Sequence, residues 1–156
     1  MIRRFYLFLF LTAQILYLSG CTPPNINNQG LTLSPQETYF GEVISEPIIA
    51  SSSINTIHWN IIFPEDHRLL IDAKPYIRIF NRPDQDILKI SLTATEGSFA
   101  CNQEIKGEEV WAEIGLFYCK DGKEGLCLMQ NVLYTIKIDK ALPPADLNLY
   151  YQVPLE

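Results

Sequence analysis

A chain of 156 residues, 47% of them hydrophobic and carrying a formal net charge of −6, is long enough for one domain with a real core. Twelve basic residues stand against eighteen acidic ones with no basic stripe. Nothing is therefore present to replace the counterions of a phosphate backbone, and nucleic acid is excluded as a partner. The acidic excess reads as a solvated surface.

At the N-terminus Arg3 and Arg4 precede an apolar run, Phe5 to Leu18. That run is shorter than the roughly twenty residues a membrane-spanning helix needs, and it has the layout of a signal peptide. It ends in Leu18-Ser19-Gly20-Cys21, which resembles the lipobox of bacterial lipoproteins: a branched apolar residue, two small ones, then the cysteine that takes a diacylglyceryl thioether. The resemblance implies that residues 1–20 are removed and that Cys21 begins the mature chain as a lipid anchor. The competing readings are an ordinary cleaved signal and an uncleaved anchor. Two or three acyl chains hold a protein on a bilayer, at about 0.8 kcal/mol per buried methylene. Thr22, where an aspartate would mark retention at the inner membrane, implies outer-membrane sorting by similarity to enterobacterial lipoproteins. Without the leader the charge is ten basic against eighteen acidic residues, or −8.

Thr22 to Gly30 is polar and rich in Pro and Asn, and reads as a flexible tether. Residues 31–156 then form a single domain. Thr38 to Ile44 and Pro47 to Ile49 are two candidate strands, with Ser51-Ser52-Ser53 as a connection. Asn55 to Phe63 alternates cleanly: Ile57, Trp59, Ile61 and Phe63 point one way, Thr56, His58 and Asn60 the other. A polar crossing between Pro64 and Pro75 leads to a short strand, Tyr76 to Phe80. Asp86 to Thr95 alternates again, and Asn102 to Glu109 reads as a charged loop. After Pro143-Pro144 a final strand carries Leu147, Leu149, Tyr151 and Val153 on one side. About seven to eight strands spaced by turn residues, with no helical period outside the leader, predict an all-β fold, an immunoglobulin-like β-sandwich.

The longest alternating segment is a hairpin, Phe117 to Ile138. Val110, Ala112, Ile114, Leu116 and Tyr118 form the inward stripe on the way in; Leu126, Leu128, Val132, Tyr134, Ile136 and Ile138 form it on the way out. Asp121-Gly122 and Gly125 supply the turn. Cys119 and Cys127 share the opposite parity at the feet of that turn, so a cross-hairpin disulfide is within reach. Cysteines suit an oxidising, exported setting. With Cys21 lipidated and these two paired, Cys101 is left as a free thiol.

Two motifs together look familiar. IHWNIIFPEDHRLLIDAKPYIRI, residues 57–79, resembles a strand, corner and strand start in the C-terminal β-sandwich of NHL-repeat proteins that carry a thioredoxin-like domain. FYCKDGKEGLCLMQNVLYTIKI, residues 117–138, resembles the cysteine hairpin of that same sandwich. A more distant similarity is to the N-terminal immunoglobulin-like domain of the periplasmic reductase that passes electrons across the inner membrane, where paired hairpin cysteines are the redox centre. Carried over, this implies a redox role for Cys119 and Cys127 alone. The chain departs from the reductase pattern: Tyr118 precedes Cys119 in place of Gly, and Cys127 is followed by Leu128-Met129-Gln130 rather than Tyr-Pro-Pro. There are no NHL repeats and no Cys-x-x-Cys.

The function expected from these readings is a noncatalytic, membrane-anchored interaction or structural module, with the membrane and an unidentified envelope protein as partners. The alternative is thiol–disulfide exchange through Cys119 and Cys127. A bracing bond restrains the unfolded chain by about 2.5–3 kcal/mol in the loop-entropy treatment, whereas exchange needs an exposed sulfur with thiolate-favouring neighbours. Lys120 and Lys123 are offset by Asp121 and Glu124. His58 and His67 match no standard metal spacing and read as surface histidines. Glu65-Asp66 beside His67 reads as a solvated corner. Trp59 shares the core parity of its strand, while Trp111 falls on the parity of the cysteines, to cover the disulfide or sit between sheets. No nucleophile elbow, phosphate loop or triad spacing is present, and no residue set calls for a metal or cofactor.

Overall fold

Strand β7, Glu109–Lys120, and strand β8, Cys127–Asp139, form the antiparallel hairpin at the centre of the protein. The structure, a computed structural model, describes residues 39–122 and 125–154. Alternate residues of these strands, Val110, Ala112, Ile114 and Leu116 with Val132 and Ile136, are fully buried on the inward side. The turn between them needs glycine at both ends. Gly122 has φ 134°, and a side chain on Gly125 would meet the Lys120 carbonyl at 2.3 Å. Leu126, expected on the inward stripe, lies ahead of β8 and is exposed.

The other strands are β1 (Glu42–Ser51), β2 (Ser53–Ile62), β3 (His67–Leu69), β4 (Tyr76–Arg82), β5 (Gln85–Ser91), β6 (Glu96–Glu104) and β9 (Ala145–Gln152). They build two mixed sheets: β1-β8-β7-β4-β5 with β3 also on β7, and β6-β2-β9. The fold is an all-β sandwich, and no α-helix occurs among the described residues. The antiparallel β4, β7, β8 group opposite the β2–β6 pair matches the immunoglobulin-like layout. β9 adds a strand parallel to β2.

Three features of the chain order differ from the sequence expectation. The two short strands expected before Ser51 are one strand, β1, whose register slips between Ile44 and Ile48. Pro47 lies in that slip on a sheet edge, where its missing N–H breaks no ladder. The polar crossing after Pro64 contains β3, which continues the row of β4 along β7: Leu69 pairs with Tyr118, and Tyr76 with Gly115. The extra residues between them leave the row as a 3₁₀ turn, Ile71–Ala73. Finally, the segment expected as one strand to Thr95 stops at Ser91, and β6 follows as a largely exposed edge strand.

Two strands change sheets side by side. β1 runs parallel to β8 in the first sheet, and β2 runs parallel to β9 in the second. At the crossing Ser51 is 2% exposed. Its hydroxyl donates to the Leu142 carbonyl at 3.2 Å and accepts from the Ser53 N–H at 3.1 Å, tying the two crossings together. At the other end Glu42 joins β1 to β9: the Tyr151 hydroxyl donates to its carboxylate at 2.5 Å, and Gln130 and Tyr118 extend the chain of bonds. The core between the sheets contains Ile57, Ile77, Leu92, Leu147 and Leu149, each at most 1% exposed. Trp59 belongs to it, as its parity requires, and its indole N–H reaches the Ala94 carbonyl at 3.2 Å.

Candidate functional site

Arg78 on β4 and Glu113 on β7 are register partners, and both point away from the core. The guanidinium meets the Glu113 carboxylate at 2.9 Å, with Glu113 only 4% exposed. The Tyr76 hydroxyl donates to the other Glu113 oxygen at 2.5 Å. Arg78 also donates to the Pro83 carbonyl at 3.2 Å and reaches Asp86 at 3.4 Å. Its carbon lies 4.3 Å from the centre of the Phe80 ring. Burial opposes the Arg78 charge, but the Glu113 and Asp86 carboxylates outweigh it and raise its pKa above the ordinary value. Burial, then the bond to and the charge of Glu113, push Tyr76 up to about 12. Tyr39 is raised as well, by burial first and the Glu113 charge second.

Above this cluster lies an open hollow of about 290 Å³. It is lined by Tyr39, Phe40, Arg78, Pro83, Glu113 and Asn131 and by Phe80, which is itself only 1% exposed. Phe40 is 94% exposed. The Arg78 Nε–H and the nearby Trp111 indole N–H are buried with no hydrogen-bond partner, and the Tyr39 hydroxyl is buried against the Glu113 carboxylate. Sequence reasoning passed over this cluster. Its signal is a charge set into each of two apolar strands, Arg78 between Ile77 and Ile79 and Glu113 between Ala112 and Ile114.

The expected disulfide is present. Cys119 and Cys127 are directly opposed, with Cα atoms 4.0 Å apart and a closed S–S bond. Cys119 is 8% exposed, and Cys127 is exposed. Among the described residues two nearby cations are engaged, Lys120 with Asp66 at 3.2 Å and Arg68 with Asp121 at 3.2 Å. The bond from Lys120 holds the Asp66 carboxyl below its usual range. Cys101 is free and half-buried on β6, its thiol 3.3 Å from the Ile54 carbonyl. It belongs to the second sheet while the disulfide belongs to the first, so the structure does not bring the three cysteines together. Cys21 lies outside the described residues.

The remaining candidates scatter. His58 pairs with Asp146 at 3.1 Å on the surface, and His67 with Asp66 at 2.7 Å. Among the described residues no group of three His, Cys, Asp or Glu side chains is placed to hold a metal ion. Trp111 neither covers the disulfide nor sits between the sheets. It lies on the outward face with its ring 6.0 Å from Phe80, eight residues and about 27 Å along β7 from Cys119. Compared with known proteins, the sequence matches no family model and no curated protein.

Proposed function

We propose that this chain is a lipid-anchored protein of the bacterial envelope, sorted to the outer membrane, whose β-sandwich is a noncatalytic interaction module. The observation that carries the reading is the sequence Arg3-Arg4, the apolar run Phe5 to Leu18, and Leu18-Ser19-Gly20-Cys21. The paired Cys119 and Cys127 fit an exported setting. Metabolic labelling with a fatty-acid probe tests the anchor. The mature protein takes up the probe, and Cys21→Ala abolishes uptake; labelling that survives Cys21→Ala ends the proposal.

A second reading is favoured by one observation, the exposure of Cys127. In it a partner thiolate attacks the Cys127 sulfur, the S–S bond breaks, and Cys119 leaves as the thiolate while a mixed disulfide forms. The engaged state of Lys120 and Arg68 argues for a brace instead. A reduction potential below about −300 mV marks a bracing bond, and one near those of the exchange proteins marks a redox pair.

A further inference from the structure

We propose that the Cys119–Cys127 bond is the latch of a redox-sensitive corner: its reduction releases residues 64–74 from the end of β7 while the sandwich stays folded. The inference goes beyond both readings of function. It does not depend on lipidation at Cys21 or on the reduction potential of the bond, because it concerns what the bond holds in place.

The ladder at the hairpin tip carries the argument. The Leu70 N–H donates to the Phe117 carbonyl and the Asp121 N–H to the Asp66 carbonyl, both at 2.7 Å. Main-chain groups alternate in direction along a strand, so Phe117, Cys119 and Asp121 turn theirs toward β3. Lys120 turns its N–H the other way, to the Leu126 carbonyl at 3.0 Å. Cys119 and Cys127 are therefore a pair without backbone hydrogen bonds between them. Their Cα separation of 4.0 Å agrees, since such pairs stand closer, at roughly 4.5 Å, than hydrogen-bonded ones. What ties Cys119 to β8 is its sulfur. Beyond Tyr118, among the described residues, one backbone bond from Lys120 and the S–S bond hold β7 to β8.

The corner depends on that short end. β3 pairs with Tyr118, Cys119 and Lys120 and with no other strand among the described residues. Every described backbone bond that leaves residues 65–74 goes to residues 117–121. The ion pairs Lys120–Asp66 and Arg68–Asp121 run to the same tip, and exposed pairs of this kind add little alone. Once the S–S bond opens, the tip frays at the loss of one hydrogen bond, and β3 loses its partner with it. The loss stops on both sides of the corner. The Ile62 carbonyl accepts from Val153 before it, and the Pro75 carbonyl accepts from Leu92 after it. Release uncovers Leu69, which packs on the core, and Tyr118, 5% exposed and with its ring 5.8 Å from that of His67. The reduced protein thus presents an apolar patch that the oxidised one hides.

The reductant is a dithiol. One of its thiolates attacks the exposed Cys127 sulfur, and Cys119 leaves as a thiolate. The second thiol of the reductant then displaces Cys127 from the mixed disulfide. The dithiol becomes a disulfide, and its two protons pass to Cys119 and Cys127.

The test is amide hydrogen exchange, read by NMR on the full-length protein in detergent, oxidised against reduced with excess dithiothreitol. The Leu70 and Asp121 N–H groups report on the corner, and those of Ile77 and Ile114 on the sheet. Reduction speeds exchange at Leu70 and Asp121 at least about tenfold more than at Ile77 and Ile114. Cys127→Ser without reductant reproduces that pattern. Any smaller difference overturns the inference: all four amides speeding up together means that the whole sandwich has weakened, and none speeding up means that the bond holds no corner. Exchange in Cys127→Ser that matches the oxidised wild type overturns it as well.

Discussion

Glu113 is held from two sides by residues of a single neighbouring strand: Arg78 at 2.9 Å on one carboxylate oxygen and Tyr76 at 2.5 Å on the other. Two β4 side chains meet this buried anion, and they fix the register of β4 on β7 at the outward face, as the apolar stripe does at the inward one. Removing one member of a buried pair leaves the other uncompensated, a loss of about 3–5 kcal/mol for full burial. Arg78 is 22% exposed, so part of that is recovered by solvation. Glu113→Ala is expected to lower unfolding stability in urea by about 2–3 kcal/mol, and Arg78→Met combined with Glu113→Leu to restore most of it. A double variant as weak as the single one would show that lost packing, not the stranded charge, is responsible.

The same cluster sets an alkaline limit. Tyr76 titrates near 10 when unfolded and is pushed up to about 12 in the fold. A raised folded value means the native state holds its proton more tightly. The contribution is complete below pH 10 and fades as the pH rises toward 12. Tyr39, Tyr134 and Tyr151 are shifted in the same direction, each mainly by burial. Melting temperature is expected to fall steeply across this window. Tyr76→Phe should flatten the fall, measured by circular dichroism against pH.

Removing the disulfide gives a third expectation. Cys119→Ala with Cys127→Ala releases a short loop, separation eight, and lowers stability by about 2.5–3 kcal/mol. Reductant added to the wild type should produce a loss of the same size. Cys101→Ala should have little effect on that comparison, because its thiol lies on the other sheet.

Two glycines are required by aromatic rings packed against them. A side-chain carbon on Gly115 would stand 2.4 Å from the Tyr76 ring, and one on Gly97 2.4 Å from the Trp59 ring. Both rings are held by hydrogen bonds at their tips, so neither can swing aside freely. Gly115→Ala and Gly97→Ala are each expected to cost about 1–3 kcal/mol in chemical denaturation. Gly122→Ala meets no atom, and its cost is limited to the φ of 134°.

What the sequence made legible follows from where burial is one-sided or two-sided. β2, the β7–β8 hairpin and β9 announced themselves because Ile57, Trp59, Val110, Ile114, Leu147 and Leu149 alternate toward one core. The cysteine pair was legible for the same reason, since parity placed both sulfurs on the outward face. β6 was not: Gly97 to Ala100 are exposed, and Phe99 itself is 40% exposed. An edge strand buried on neither face has no period to show. β3 exists only because β7 extends past the end of β4 and offers Tyr118 to Lys120 as partners. The Arg78–Glu113 cluster was hidden for a different reason. Each charge is visible, but the register that sets them opposite links strands 35 residues apart, and no local pattern encodes it.

The bond from Tyr151 to Glu42 has a practical corollary. It places the start of the first strand beside the close of the last, on the rim that also carries Gln130 and Tyr118. Losing that one bond therefore frees the start of β1 and the close of β9 at the same rim.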